Sequence, residues 1–250
     1  MTRTHSFPQI PFTPSTADMI KSRWQELTPQ GSTFFEKYLR SLCVETNHIE
    51  GTFLLAQQCT QDLMHCGIAE ATISYLPQSK IKDPKMIKNI LNDTLAAYHK
   101  MRPFVQDPEG LSLEVLCEIH LSLMKTCQYS KEGAYIPGGK TRQETRKTVI
   151  VRGGTSGDIQ CCPFEQVDAE IKYICQMAKD GNGRLARLIA SIPLIKAGYP
   201  PMSISVTHRQ QFFQAINMVS GMGVQNFLRL ISKCYKNADL GIYGESYSHD

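Results

Sequence analysis

Apolar residues recur at steps of three and four along most of this chain, the spacing that gives one buried face on a helix. From Thr33 to His65 the pattern runs through Phe34, Tyr38 and Leu42, then Ile49, Phe53 and Leu54, with Gly51 interrupting it. Two helices broken at Glu50-Gly51 are predicted. Met86–Met101 repeats the pattern through Ile87, Ile90, Leu91, Leu95 and Tyr98, and Leu111–Met124 through Leu113, Leu116, Ile119, His120 and Leu123. Both should face a core. The period changes between Ser130 and Cys162, where Gly133, Pro137, Gly138 and Gly139 precede the β-branched run Thr148-Val149-Ile150-Val151 and then Gly153-Gly154 and Gly157. A loop, a short strand and a turn fit this composition, giving a small hairpin.

A helix returns after Pro163, with Phe164, Val167, Ile171, Ile174, Cys175 and Ala178 on one face, and runs into Asp180. Beyond two glycines the next carries Leu185, Leu188, Ile189, Ile192 and Ile195 and stops at Gly198 before Pro200-Pro201. Pro193 should kink it, since it offers no N–H to the carbonyl four residues back. Amphipathic helices at about 207–219 and 224–235 close the pattern. The expected architecture is all-α with a small β-hairpin. Residues 1–30 and 236–250 read as flexible tails, because the first holds Pro8, Pro11 and Pro14 and the second is polar and rich in Gly, Ser and Tyr.

Composition narrows the function classes. With 250 residues and 42% hydrophobic side chains, one sizeable core can form. The net charge of +4 gives no long-range pull toward nucleic acid or anionic lipid, so neither is an expected partner. The nine cysteines are scattered, odd in number and form no CxxC pair. Reduced thiols in the cytoplasm or nucleus suit them. No signal-like N-terminus and no apolar run of about 18 residues is present, so a soluble protein is expected.

Candidate chemistry concentrates in Asp180-Gly181-Asn182-Gly183-Arg184-Leu185-Ala186-Arg187. Two glycines let backbone amides approach an anion at a helix start, and Arg184 and Arg187, three apart, can clamp phosphate oxygens. Asp180 is a hard oxygen ligand suited to Mg2+. On its own the same octapeptide serves equally well as a tight corner between two helices. Likewise Thr46-Asn47-His48-Ile49-Glu50-Gly51 alone reads as a helix C-terminus, with Gly51 as terminator and Glu50 as a solvated charge.

Taken together these segments resemble Fic (Fido) domain proteins. The stretch from Asp180 to Pro201, DGNGRLARLIASIPLIKAGYPP, is similar to the second half of the family's signature loop and the helix after it. TNHIEG at 46–51 resembles the inhibitory-helix motif of the N-terminally autoinhibited class, and Gly133–Pro163, with KTVIV at 147–151, resembles the flap hairpin that pins a target side chain. RQQFFQAIN at 209–217 and VQNFLRLISKC at 224–234 resemble the closing helices. The resemblance implies a Fic-type domain over 31–235, with inhibitory helix 34–50, flap about 133–163, and nucleotide loop and helix 180–198. It further implies ATP and Mg2+ as cofactors, and transfer of AMP to, or its removal from, a Ser, Thr or Tyr hydroxyl of a protein target; a homodimer is compatible with it. Asp180 would hold the metal, Gly181, Asn182, Gly183 and Arg184 would cradle the α- and β-phosphates, and Arg187 would reach the γ-phosphate. Glu50 would pair with Arg187 in place of that phosphate.

The chain departs from the family where the chemistry should begin. The family's loop opens with His-Pro-Phe, whose histidine is the general base; here the positions read Gln176-Met177-Ala178-Lys179. Glutamine takes up no proton near neutral pH, so no catalytic residue is assigned. A core helix that precedes the loop in the family is also missing, with family-like sequence on both sides. Two readings follow: an autoinhibited adenylyltransferase-type protein that is impaired or inactive as written, and a non-catalytic nucleotide-binding or regulatory module. Phe212, Phe213 and Ser220 stand where the family often has Tyr and Asn beside the nucleotide.

Overall fold

The computed structural model describes residues 14–106, 110–128, 135–146, 150–151, 159–160, 163–177, 188, 191–192 and 194–204. In chain order these form α1 (Pro14–Leu27), α2 (Phe34–Glu50), α3 (Gln57–Cys66), α4 (Pro84–Met101), the short α5 (Pro103–Gln106), α6 (Leu113–Met124), the short α7 (Arg142–Thr145), β1 (Ile150–Val151), β2 (Ile159–Gln160) and α8 (Val167–Met177). Residues 188, 191–192 and 194–196 are helical as well.

Each long helix has a local reason to start or stop where it does. The Asp83 carboxylate accepts the Lys85 N–H at 2.9 Å with Pro84 in the first turn, which moves the start of α4 ahead of the expected Met86. Ser112 caps α6 through the Val115 N–H. Gly51 ends α2 at φ 65°, and the bonds Gly51 N–H to His48 O and Thr52 N–H to Asn47 O close a Schellman turn. The helical residues 194–196 end identically: Gly198 sits at φ 86°, with Gly198 N–H bonded to Ile195 O and Tyr199 N–H to Leu194 O. Both glycine stops fall where the periodicity places them.

Helix α4 is the hub. Its buried stripe of Ile87, Ile90, Leu91, Ala97, Tyr98 and Met101 packs between α2 and α6. Leu39, Leu42 and Cys43 of α2, Leu116, Ile119 and Leu123 of α6, and Leu188 and Ile192 complete one core. A fully buried Ile or Leu contributes roughly 1.5–3 kcal/mol, so this junction outweighs the exposed ion pairs around it. Strand β1 pairs antiparallel with β2, Ile150 opposite Gln160 and Val151 opposite Ile159, which is the expected hairpin.

The expected tail over residues 1–30 needs correction, because α1 lies inside it. Trp24 is buried against Phe34, Phe35 and Tyr38 at ring-centroid distances of 5.1–6.0 Å, and that aromatic contact outweighs the loosening effect of the prolines before it. The helix expected from Phe164 begins instead with a single 3-10 turn, Phe164–Gln166, which leads into α8. The segments 207–219, 224–235 and 236–250, and Pro193, lie outside the described residues. Among the described residues, no helix is long and apolar enough to cross a membrane, and the cysteines Cys43, Cys59, Cys66, Cys117 and Cys127 are free thiols.

Candidate functional site

The best-described part of the candidate site is the C-terminal half of α2. Thr46, Asn47 and Ile49 are buried and Glu50 is half-buried in the last turn. Asn47 donates from Nδ2 to Cys43 O at 2.8 Å and to Thr94 Oγ1 at 3.1 Å, which ties α2 to α4, and Thr94 passes its own proton to Ile90 O. Asn47 Oδ1 is buried with no hydrogen-bond donor among the described residues. Such an orphan costs about 1–3 kcal/mol, so the surrounding packing holds α2 in place against it.

His48 secures the turn that follows. Its Nε2 accepts the Leu55 N–H at 3.1 Å, and its ring lies edge-on to Phe53 at 5.9 Å. Burial pushes its pKa down to about 4, so the ring stays neutral and able to accept. Its role is structural. The same holds for the Cys43 thiol, which burial pushes far up and so keeps protonated.

On the other side α2 meets the segment that leaves the Leu188 helix. Tyr38 OH donates to Pro201 O at 3.2 Å, and Ser203 Oγ donates to Glu45 Oε2 at 2.6 Å. Met202 N–H donates to Oγ of the buried Ser191 at 2.9 Å. Leu42, Glu45, Thr46 and Ile49 thus line a junction with Tyr98 of α4 and with Met202 and Ile204. Lys21 of α1 stands over the Tyr199 ring at 5.8 Å, closing the far end of the same seam.

The loop ahead of α7 is anchored to α6. His120 Nδ1 accepts the Gly139 N–H at 3.2 Å, and Gly139, at φ 74°, lies so close that an added Cβ would stand 3.1 Å from Cys117 O and from Leu121 Cβ. Thr141 and Glu144 then form a reciprocal capping box that starts α7, with Lys140 paired to Glu144 at 2.9 Å. The backbone bond and the side chain of Lys140 hold the Glu144 carboxyl below its ordinary range.

Of the residues singled out in the sequence, Glu50 is placed at the end of α2, and Gln176 falls in the last turn of α8, where only its backbone is described. Asp180, Gly181, Asn182, Gly183, Arg184 and Arg187 lie outside the described residues, and with them the Glu50–Arg187 pairing. Sequence reading missed the Glu45–Ser203 and Asn47–Thr94 bonds. Their partners are 158 and 47 positions apart, and no local spacing signals either contact.

No known protein-family model matches the chain. The solved structures it resembles share one architecture. A Fic domain containing signaling protein from Bacteroides thetaiotaomicron superposes with a TM-score of 0.66 over 94% of this chain and 99% of its own, at 16% identity. Fic-1 from C. elegans gives 0.56 over 92% of this chain and 71% of its own, at 17% identity. The fold is the helical Fic fold. Among curated proteins the chain is 34% identical over 68 residues to protein adenylyltransferase Fic of Aedes aegypti and 35% identical over 68 residues to that of Drosophila grimshawi. In both cases the match covers 27% of this chain and only 14% of the relative, so it spans a small part of a longer protein. The chain therefore has the fold of these Fic domain structures, and a stretch of its sequence is similar to part of the proteins named protein adenylyltransferase Fic.

Proposed function

We propose that this chain is a nucleotide-binding protein of the adenylyltransferase type, restrained by Glu50 and catalytically impaired because Gln176 stands where a general base belongs. The name of its relatives, protein adenylyltransferase, supports ATP as the nucleotide and a protein hydroxyl as the acceptor. The observation that carries the restraint is the seat of α2: Glu50 ends a helix packed on residues 191–204, the stretch that directly follows the glycine–arginine segment. A carboxylate held there competes with a γ-phosphate for the Arg187 guanidinium.

Asp180, Gly181, Asn182, Gly183 and Arg184 are the residues we assign to Mg2+ and to the α- and β-phosphates. One protein carboxylate suits a magnesium ion that keeps phosphate and water oxygens as its other ligands, and the bound ion would neutralise phosphate charge. In AMP transfer a Ser, Thr or Tyr oxygen of the target attacks the α-phosphorus; the new O–P bond forms as the bond to the β-phosphate oxygen breaks, and pyrophosphate leaves. The hydroxyl proton needs an acceptor, and an amide at position 176 provides none. This observation favours a second reading, a module that binds nucleotide without turnover. The domain extends over 31–235 in either case, and a cytoplasmic or nuclear setting and a homodimer fit both.

Calorimetry with Mg2+ and ATP, alongside labelled ATP and protein acceptors, separates the readings. Glu50→Gly is expected to tighten ATP binding roughly tenfold, about 1.4 kcal/mol, while Arg184→Ala abolishes the heat. Label transfer by the Glu50→Gly variant supports residual catalysis; heat without label supports the binding module. The absence of heat in every form sinks the nucleotide-binding assignment itself.

A further inference from the structure

Three of the five large apolar side chains exposed among the described residues meet on one surface. Leu121 of α6 is 50% exposed, Tyr135 54% and Ile136 39%. The loop ahead of α7 brings them together. Ile136 N–H donates to Gln128 O at 2.7 Å, and an added Cβ at Gly138 would stand 3.3 Å from Leu121 Cδ1, so residues 136–139 run back along α6 from its end toward Cys117. Leu121 also sits in the middle of the outward stripe of α6. Leu116, Ile119 and Leu123 face the core, whereas Glu118, Leu121 and Lys125 are exposed at spacings of three and four, and Lys125 keeps helical backbone angles at the C-cap. Neither Glu118 nor Lys125 has an ion-pair partner among the described residues.

We propose that this surface takes a second copy of the chain, with the two α6 helices crossing antiparallel about a two-fold axis at Leu121. The order of charges along the stripe selects both the partner and its orientation. Glu118 lies about 4.5 Å before Leu121 along the helix and Lys125 about 6 Å after it. On an antiparallel pair each Glu118 therefore comes opposite the other copy's Lys125, with an axial offset of only about 1.5 Å. A parallel pair would set Glu118 against Glu118 and Lys125 against Lys125. Two-fold symmetry thus gives two ion pairs flanking one Leu–Leu contact, and Tyr135 and Ile136 of each copy widen the apolar area at the Lys125 ends. An apolar centre within a charged rim is the usual division of an interface. This surface does not depend on whether the chain binds or turns over a nucleotide.

Sedimentation of the full chain over a range of concentrations is the test. A patch of this size belongs with small, transient interfaces, so a monomer–dimer equilibrium is expected at roughly tens of micromolar protein. Glu118→Lys or Lys125→Glu alone turns both attractive pairs into repulsive ones and should weaken the dimer about tenfold; Leu121→Glu should abolish it. Combining Glu118→Lys with Lys125→Glu restores both pairs with reversed polarity and should return the association, and mixing the two single variants should give a heterodimer as stable as the unaltered dimer. Lysine and glutamate serve equally well at exposed helix positions, so the swaps leave the fold intact. Hydrogen exchange adds a readout that needs no variant: amides of residues 135–139 should exchange more slowly in concentrated than in dilute protein. A chain that stays monomeric up to about 1 mM, a dimer indifferent to the single swaps, or a double swap no better than the singles overturns the proposal. Protection of 135–139 that is the same at every concentration in a monomeric chain overturns it too, and assigns the surface to another segment of the chain.

Discussion

His48 and His120 both accept a backbone N–H across a chain reversal, one from Leu55 beyond the end of α2 and the other from Gly139 in the loop ahead of α7. Their settings differ. Burial lowers the His48 pKa to about 4, and the N–H it accepts belongs to the buried Leu55. His120, half-buried like His48, accepts from the half-buried Gly139 beside the exposed Leu121, where solvent can reach the turn it holds. The imidazole acceptor is therefore harder to replace by water at the first site than at the second. The comparison indicates that the turn after α2 is held by a buried imidazole bond, whereas the loop at Gly139 is held mainly by close backbone packing.

The largest effect expected from this contrast is on stability. His48→Leu removes the acceptor of a buried N–H and replaces a ring packed on Phe53, and should cost about 3 kcal/mol; His120→Leu should cost about 1 kcal/mol, since the Gly139 N–H can turn to water. Urea unfolding of the two variants checks the ranking, and equal costs would dissolve the distinction. A somewhat smaller effect follows from pH. The folded pKa of His48, about 4, lies below the ordinary value of 6.5, so the unfolded chain binds the extra proton first. The contribution of this site is complete above pH 6.5 and is lost as pH falls toward 4. Between pH 7 and pH 5 the protein should lose about 2 kcal/mol through this residue. His48→Gln, which keeps an acceptor oxygen but does not titrate, should flatten that part of the profile. A profile unchanged by the substitution would place the acid sensitivity elsewhere.

How much of this was legible in the sequence depends on the range of the interaction. Gly51 and Gly198 as helix stops, α4 and α6 as core helices and the hairpin after Gly139 all follow from local spacing or from backbone preference, and all are present. Helix α1 was not legible, because its anchor is Trp24 meeting Phe34, Phe35 and Tyr38 after a turn, and composition reports only the prolines ahead of it. Glu50 could be singled out from a motif. Glu45 could not, since its partner arrives from 158 residues away and its neighbours give it the look of one more solvated charge. Nor does His48 carry a local sign of its bond to Leu55: burial by Phe53 and the α2–α4 junction makes it a neutral acceptor, and burial is a property of the assembled fold.

The smallest effect expected sharpens the Gly139 side of the comparison. Gly31 and Gly139 both have positive φ, 85° and 74°, so alanine is strained by its backbone at either position. They differ in what the new methyl meets. At Gly31 nothing lies within 4 Å, and the cost should be the left-handed backbone alone, about 1 kcal/mol. At Gly139 the methyl stands 3.1 Å from Cys117 O and 3.1 Å from Leu121 Cβ, one of them backbone of α6 that cannot swing aside. Gly139→Ala should therefore exceed Gly31→Ala by about 1 kcal/mol, since relieving the contact lifts the turn off α6 and stretches the His120 bond. Denaturation of the two variants, each also made in a His120→Leu background, gives the decisive measurement. If backbone packing and not the imidazole holds this loop, the excess at Gly139 persists when His120 is gone; an excess that vanishes with His120 would mean that the hydrogen bond, not the close approach, carries the anchorage.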